Sequence, residues 1–319
     1  MKIFRGFHHP GIASACALTI GNFDGVHRGH QAMLALLNNE AAHRGVESCV
    51  LTFEPHPRDY FAGVARKPEL APARIGTLRD KLTELERCGV QQVVVLPFSA
   101  RLAAQTPEAF INEVLVQGLG ARYVLVGDDF RFGCDRRGDF ALLQKIGAER
   151  GFGVTDTCTL EINGERVSST RIRHLLEMGD FAQAETLLGK PYSISGRIAY
   201  GQQLGRKLGV PTANVHLRRY RSPLHGVFTV SARFVDGSVH QGVANVGVRP
   251  TVTGDKKPLL EVHLFDFSRK VYGAMIDVVF HTKLRDEKKF NSLDELQTQL
   301  QADIAQGQAF FRRDTAPMN

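Results

Sequence analysis

The stretch Leu18–His30, LTIGNFDGVHRGH, decides how the first half of the chain is read. An apolar run breaks at Gly21, and a turn holding a second glycine, Gly25, delivers His27 and His30 at HxGH spacing. The pattern predicts a buried strand, a turn and a helix from Gln31 onward. Gly21 and Gly25 let the backbone approach a ligand at the positive end of that helix. Three residues apart in the first helical turn, the two imidazoles face the same ligand. They are placed to donate hydrogen bonds to phosphate oxygens whose charge grows during displacement. A turn that merely carries two surface histidines is the plainer alternative, and the glycine frame argues against it.

Around this stretch, β-branched runs alternate with helical patterns. Strands are expected at 15–20, 48–53, 92–96, 123–126 and 153–159, with helices at 31–42, 78–87, 107–117 and 139–149. Such alternation argues for a parallel sheet wrapped by helices. Ligands collect at the carboxyl ends of such strands, where the Gly21 turn lies. Near Leu187-Leu188-Gly189-Lys190-Pro191 the pattern changes, so the chain is divided into domains at 1–186 and 187–319. Short strands follow at 193–199, 227–234, 238–246, 259–265 and 275–283, which suggest an antiparallel barrel or sandwich. Ser292, with Glu295 completing a capping box, opens a final helix toward Phe310.

With 319 residues, 43% of them hydrophobic, the chain has material for about two cores. No apolar run approaches the roughly 18 residues that a membrane helix needs, and the N-terminus has no long apolar segment, so a cytoplasmic protein is expected. The five cysteines are dispersed without a CxxC pair, which argues for reduced thiols and against a zinc site. The net charge of +7 fits anionic small substrates; basic residues are interleaved with acidic ones and Trp is absent, which argues against a nucleic-acid surface.

Two further segments carry phosphate chemistry. Ser168–Arg173 reads SSTRIR, in which Ser169 and Thr170 are expected to cap a helix over 171–178 while Arg173 forks onto phosphate oxygens. From Gly196 the chain reads GRIAYGQQLGRKLGVPTAN, whose Gly201, Gly205, Arg206 and Gly209 form a basic loop leading into Pro211. Thr212 and Asn214 are alternate residues, so in an extended segment both oxygens can share a cation such as magnesium; alone, they would read as ordinary loop residues. Glu261 and His263 share one face of a strand, directed into the barrel mouth or into solvent.

The HxGH turn paired with the S-S-T-x-I-R segment resembles the nucleotidylyltransferase superfamily. Residues 52–57, TFEPHP, and 127–133, GDDFRFG, narrow the resemblance to the bacterial FAD synthetase module. In the second half, PTAN, 242–251 (GVANVGVRPT), 261–267 (EVHLFDF) and 284–290 (LRDEKKF) are similar, in order, to the riboflavin kinase family. The resemblance implies a Rossmann-like α/β nucleotidylyltransferase domain, then an antiparallel β-barrel riboflavin kinase domain with a C-terminal helix. It implies phosphorylation of riboflavin to FMN by ATP, then adenylylation of FMN to FAD with release of pyrophosphate.

Carried over to this chain, His27, His30 and Arg173 would stabilise the triphosphate and the leaving pyrophosphate. Gly21, Asn22, Phe23, Asp24, Gly25, Gly29, Ser169 and Thr170 would surround ATP. Phe53, His56, Pro57, Asp129, Phe130 and Phe132 would meet flavin or nucleotide. Asp24 and Asp129 stay open between ligand contacts and turn-forming aspartates, and His56 between a presented ligand and a stiff Pro-His-Pro loop. For the kinase, Gly201, Gly205, Arg206, Gly209 and Pro211 would contact ATP, Thr212 and Asn214 Mg²⁺, and Asn245, Arg249 and Arg285 the flavin. Glu261 would accept the proton of the ribityl 5′-hydroxyl. Phe228 stands where relatives commonly have tyrosine, which puts a hydroxyl contact there in doubt.

The expected partners are therefore small molecules (ATP, riboflavin and FMN) with no nucleic acid and no membrane, and homo-oligomerisation is left open. Two rivals remain. One is a nucleotidyltransferase for another acceptor, against which the PTAN and Glu261 series argues. The other is a flavin-binding regulator without turnover, against which His27, His30, Arg173 and Glu261 argue.

Overall fold

The alternation in the first half builds a six-stranded parallel sheet. In a computed structural model the chain is described over residues 1–200, 209–217, 219–250 and 256–314. The strands are β1 (Lys2–Arg5), β2 (Cys16–Ile20), β3 (Glu47–Glu54), β4 (Gln92–Pro97), β5 (Ala121–Gly127) and β6 (Gly153–Thr157), in the order β1-β4-β3-β2-β5-β6. Cys16, Ala17 and Leu18 are fully buried, as a central parallel strand covered on both faces requires. β2 pairs with β3 on one side and β5 on the other. The order of strands reverses there, so the turn after Ile20 stands at the switch point where such sheets leave a crevice.

Helix boundaries differ instructively from the sequence expectation. The helix after the Gly21 turn spans Arg28–Arg44, beginning three residues before Gln31, because the His27 side chain caps it. Leu34, Leu37 and Ala41 recur at helical spacing and bury against a core containing Val50, Val93 and Leu125. Pro-His-Pro is a helix start rather than a stiff loop: Pro57–Val64 is helical, and Nδ1 of His56 accepts from the Arg58 amide at 3.1 Å. The segment expected as one helix at 107–117 is a short α-turn, Pro107–Ala109, followed by a π-helix, Phe110–Gly118. SSTRIR also corrects the expectation. The helix is Ser169–Met178, so Ser169 and Thr170 lie within its first turn and do not cap it.

The chain divides into two compact units: Met1–Ala71 with Leu78–Ser169, and Pro72–Thr77 with Thr170–Asn319. Pro72–Thr77 joins the second unit through backbone carbonyls. Ile75 accepts from the Tyr192 hydroxyl at 3.0 Å, Arg74 accepts from Nη1 of Arg219, and Ala73 forms a bridge with Arg221.

A short hairpin of the first unit, β7 (Glu161–Ile162) and β8 (Glu165–Arg166), precedes a closed antiparallel barrel. The barrel strands are β9 (Ser193–Ala199), β10 (Ala213–His216), β11 (Gly226–Phe234), β12 (Val239–Pro250), β13 (Lys256–Leu264) and β14 (Met275–Arg285), closing in the order β10-β13-β12-β11-β14-β9. A six-stranded barrel has room inside only for side chains. Phe228, Ala244 and Val262 are opposed across neighbouring strands and are almost fully buried, which fills that interior. The rings of Phe181 and Phe280 stand edge-on to Phe228, 5.8 and 5.4 Å away. Phe228 is thus part of the barrel core.

The last helix, Leu293–Asp314, packs outside the barrel, where a Cβ on Gly307 would overlap Val243. Ser292 caps it, with Oγ accepting from the Glu295 amide at 3.1 Å, while Glu295 reaches back to the Asn291 amide at 3.0 Å. No helix among the described residues is long and apolar enough to cross a membrane.

Candidate active sites

Each unit carries one cleft in which motif residues meet. In the first unit, the turn after β2 is held by the Gly21 amide donating to Leu51 at 3.1 Å. Phe23 and Val26 adopt positive φ (47° and 41°), conformations that L side chains hold only when buried neighbours fix them. Both are buried, at 2% and 1% exposure. The turn delivers His27 as the helix N-cap. Its Nδ1 accepts from the His30 amide at 3.3 Å, so a neutral His27 ring carries its proton on Nε2. Gly29 makes this possible, since a Cβ there would stand 3.2 Å from Nδ1 of His27.

The His27 and His30 rings stack with centroids 3.6 Å apart and planes 17° apart, and Phe23 covers His30 from 4.9 Å. Burial holds the His30 pKa well below its usual value, and charge on His27 and Lys81 lowers it further. Lys81, which sequence reasoning passed over, is itself buried and donates from Nζ to Oγ1 of Thr52 at 3.1 Å. A lysine inside a helical pattern reads as solvated, so its sequence carried no signal.

Gly21, Phe23, His27, Gly29 and His30 line this cleft together with Asp129, Phe130 and Ser169. Arg166, also missed, forms ion pairs with Asp128 at 3.4 Å and Asp129 at 3.0 Å. The Thr159 hydroxyl donates to Asp128 at 2.6 Å, and this bond foremost, with the charge of Arg166, keeps the Asp128 carboxyl below its usual range. Ser169 donates from Oγ to the Asp24 carbonyl at 2.9 Å, tying the start of its helix to the turn. Asn22, Asp24, Gly25, Phe53, His56 and Pro57 are outside the lining of this cleft. Asp24 and His56 are buried; Phe53 packs against Phe98 and Phe132 belongs to the core. Thr170 and Arg173 lie in the second unit, where Nε of Arg173 donates to the Ala73 carbonyl at 2.9 Å.

The second unit's cleft lies between the outer barrel wall and the C-terminal helix. Leu260, Val262 and Leu264 of β13 are buried on the inner side, so Glu261 and His263 alternate to the outer one. Glu261 therefore faces neither the barrel mouth nor open solvent, but a cleft closed by Leu296, Leu300 and Ile304. Glu261 is directly opposite Asn214 on β10 and Asn245 on β12, so the three side chains form one row across the wall. Asn214 is 5% exposed, and Thr212 borders the cleft just before β10 begins. Nδ1 of His263 donates to the Pro211 carbonyl at 2.9 Å, fastening the PTAN segment to β13.

Arg285 also lines this cleft, but its fork is engaged. Nε and Nη2 donate to the two carboxylate oxygens of Asp303 at 2.8 and 2.7 Å, and Asp303 is only 2% exposed. Asp303 escaped notice because an aspartate inside a helix reads as surface. Gly209 turns with φ 76° before Pro211, which is exposed. Gly201, Gly205, Arg206 and the side chain of Arg249 lie outside the described residues.

Comparisons with known proteins also divide the chain in two. Residues 9–171 match the FAD synthetase family model and residues 188–311 the riboflavin kinase model. The chain is 50% identical to a bifunctional riboflavin kinase/FMN adenylyltransferase of Pseudomonas fluorescens, covering 97% of each. It is 47% identical to that of Escherichia coli K12, covering 98% of each. A solved structure described as a macrolide-efflux protein from Streptococcus pneumoniae superposes with TM-score 0.75 at 28% identity, over 95% of this chain and 97% of that one. With both models matched in order and near-complete relatives at such identity, the chain belongs to the bifunctional riboflavin kinase/FMN adenylyltransferase family.

Proposed function

We propose that the two clefts perform successive steps: riboflavin is phosphorylated to FMN by residues of 187–319, and FMN is adenylylated to FAD by residues of 1–186. One observation carries the reading: each cleft gathers residues suited to one of the two steps. The carboxylate of Glu261 stands between two amides in the second unit, and a stacked histidine pair ends a parallel strand in the first.

For the kinase step, the 5′-hydroxyl oxygen of riboflavin attacks the γ-phosphorus of ATP, ADP leaves, and Glu261 takes the hydroxyl proton. Asn214 and Asn245 hold the carboxylate's surroundings polar, while the valine and leucine walls accept the flavin ring. Thr212, just before β10, and Asn214, within it, would hold a magnesium ion, because both supply neutral oxygens while ATP supplies the charge. Such an ion neutralises the phosphates.

For adenylylation, a phosphate oxygen of FMN attacks the α-phosphorus of ATP and pyrophosphate leaves. No protein nucleophile is required. Nε2 of His27, whose Nδ1 accepts from the His30 amide, donates to phosphate oxygens, and the paired ring of His30 shares the task. Ser169, which lines the same cleft, would add a donor for the triphosphate. Asp129 and Phe130, which also line the cleft, would meet flavin or nucleotide.

Purified protein incubated with riboflavin, ATP and magnesium, followed by chromatography, tests the scheme. FMN should appear first and FAD second, with pyrophosphate released in the second phase only. FAD arising without an FMN phase that exchanges with added FMN would count against two separate sites.

A further inference from the structure

The run Lys283–Lys288 at the end of β14 is dense in charge, and nearly all of it is committed. Lys283 pairs with Asp286 at 2.6 Å, Arg285 with Asp303 at 2.7 Å and Lys288 with Glu295 at 3.3 Å. Glu287 differs. It lines the cleft that holds Glu261, and no hydrogen bond or ion pair engages it among the described residues.

Its position is built by a glycine on the neighbouring wall. A Cβ on Gly247 would overlap Oε1 of Glu287 and stand 3.2 Å from Nδ2 of Asn245. The bare Cα of Gly247 thus leaves the place that the carboxylate occupies, beside Asn245. Asn245 in turn lies directly opposite Glu261 in the β12–β13 ladder. Two carboxylates and an amide therefore gather in the cleft, whose apolar part is made by Val227, Val243, Leu296, Leu300 and Ile304.

Resting on the placement of riboflavin phosphorylation in this cleft, we propose that Glu287 is a substrate-binding and specificity-determining residue that accepts hydrogen bonds from the secondary hydroxyls of the ribityl chain. An ionised carboxylate only accepts, and a polyol beside the reacting alcohol offers donors to it. The apolar part is suited to the planar ring, which leaves the chain of hydroxyls to reach Glu261 past Glu287. The carboxylate thereby selects a polyhydroxylated alcohol over a simple one.

The test uses the full chain and two substrates: riboflavin, and an isoalloxazine carrying a 5-hydroxypentyl chain, which keeps the primary alcohol and lacks the secondary hydroxyls. With riboflavin, Glu287→Ala should lower kcat/KM for phosphorylation about tenfold or more, the size expected for a hydrogen bond to a charged group. With the hydroxypentyl analogue, Glu287→Ala and the parent should be equal. Gly247→Ala, which displaces the carboxylate without removing it, should show the same selective loss. Phosphorylation of the hydroxypentyl analogue at the parent rate reports that the barrel of each variant is folded. Equal loss with both substrates, or no loss with riboflavin, would overturn the proposal. If instead Glu261→Ala still phosphorylates riboflavin at the parent rate, it is the placement of the kinase site that fails.

Discussion

Asp303, on the C-terminal helix, grips Arg285, at the end of β14, through two parallel hydrogen bonds of 2.8 and 2.7 Å. The fork joins the helix to the barrel wall at the edge of the cleft. Gln299 adds a bond to the same carboxylate at 3.0 Å, and the ring of Phe290 stands 5.9 Å from the guanidinium. Arg285 thereby shapes the second unit's cleft through its partner, while still bordering it.

Asp303→Ala should leave a guanidinium without its partner and cost about 3 kcal/mol of stability in the barrel and its helix. Urea unfolding followed by a probe in the second unit measures this. Because the helix supplies one wall of the cleft, FMN formation should fall with it, whereas FAD formation from supplied FMN should persist. An unchanged unfolding midpoint would show the fork to be energetically idle.

Replacing both His27 and His30 with Ala should lower adenylylation at least about 100-fold, the usual effect of removing donors aimed at a developing negative charge. Riboflavin phosphorylation should continue, so FMN should accumulate in a chromatographic time course. FAD production at the parent rate would remove these histidines from the reaction.

The depressed pKa of His30 makes the first unit sensitive to acid. An unfolded histidine titrates near about 6.5, whereas the buried ring refuses the proton until lower pH. Below about 6.5 the unfolded chain binds a proton that the folded one does not, so stability falls as pH drops toward the folded pKa. The urea midpoint of the first unit should be lower at pH 5.5 than at pH 7.5, and His30→Asn should shrink that difference. An undiminished difference in the variant would assign the acid sensitivity to other groups.

Much of the architecture was legible because periodicity and punctuation agreed. The 78–87 helix and the 193–199 strand coincide with the structure, and the apolar run before Gly21 is the central strand. What was not legible depended on tertiary partners. Nothing local says that Ser169 bonds to the Asp24 carbonyl instead of capping, or that Pro72–Thr77 belongs with the barrel. The face chosen by Glu261 required knowing that a helix lies outside the barrel wall. Lys81, Asp303 and Arg166 all look like surface charges in sequence, and only the fold brings each to its partner.

The most direct measurement feeds Glu261→Gln first with riboflavin and then with FMN, each with ATP and magnesium, and quantifies FMN and FAD over time. Glutamine keeps the shape and loses the base, so FMN formation should fall at least about 100-fold while FAD formation from FMN proceeds at the parent rate. FMN formed from riboflavin at the parent rate, or equal loss of both activities in folded protein, would contradict two separate sites with Glu261 as the base of the first.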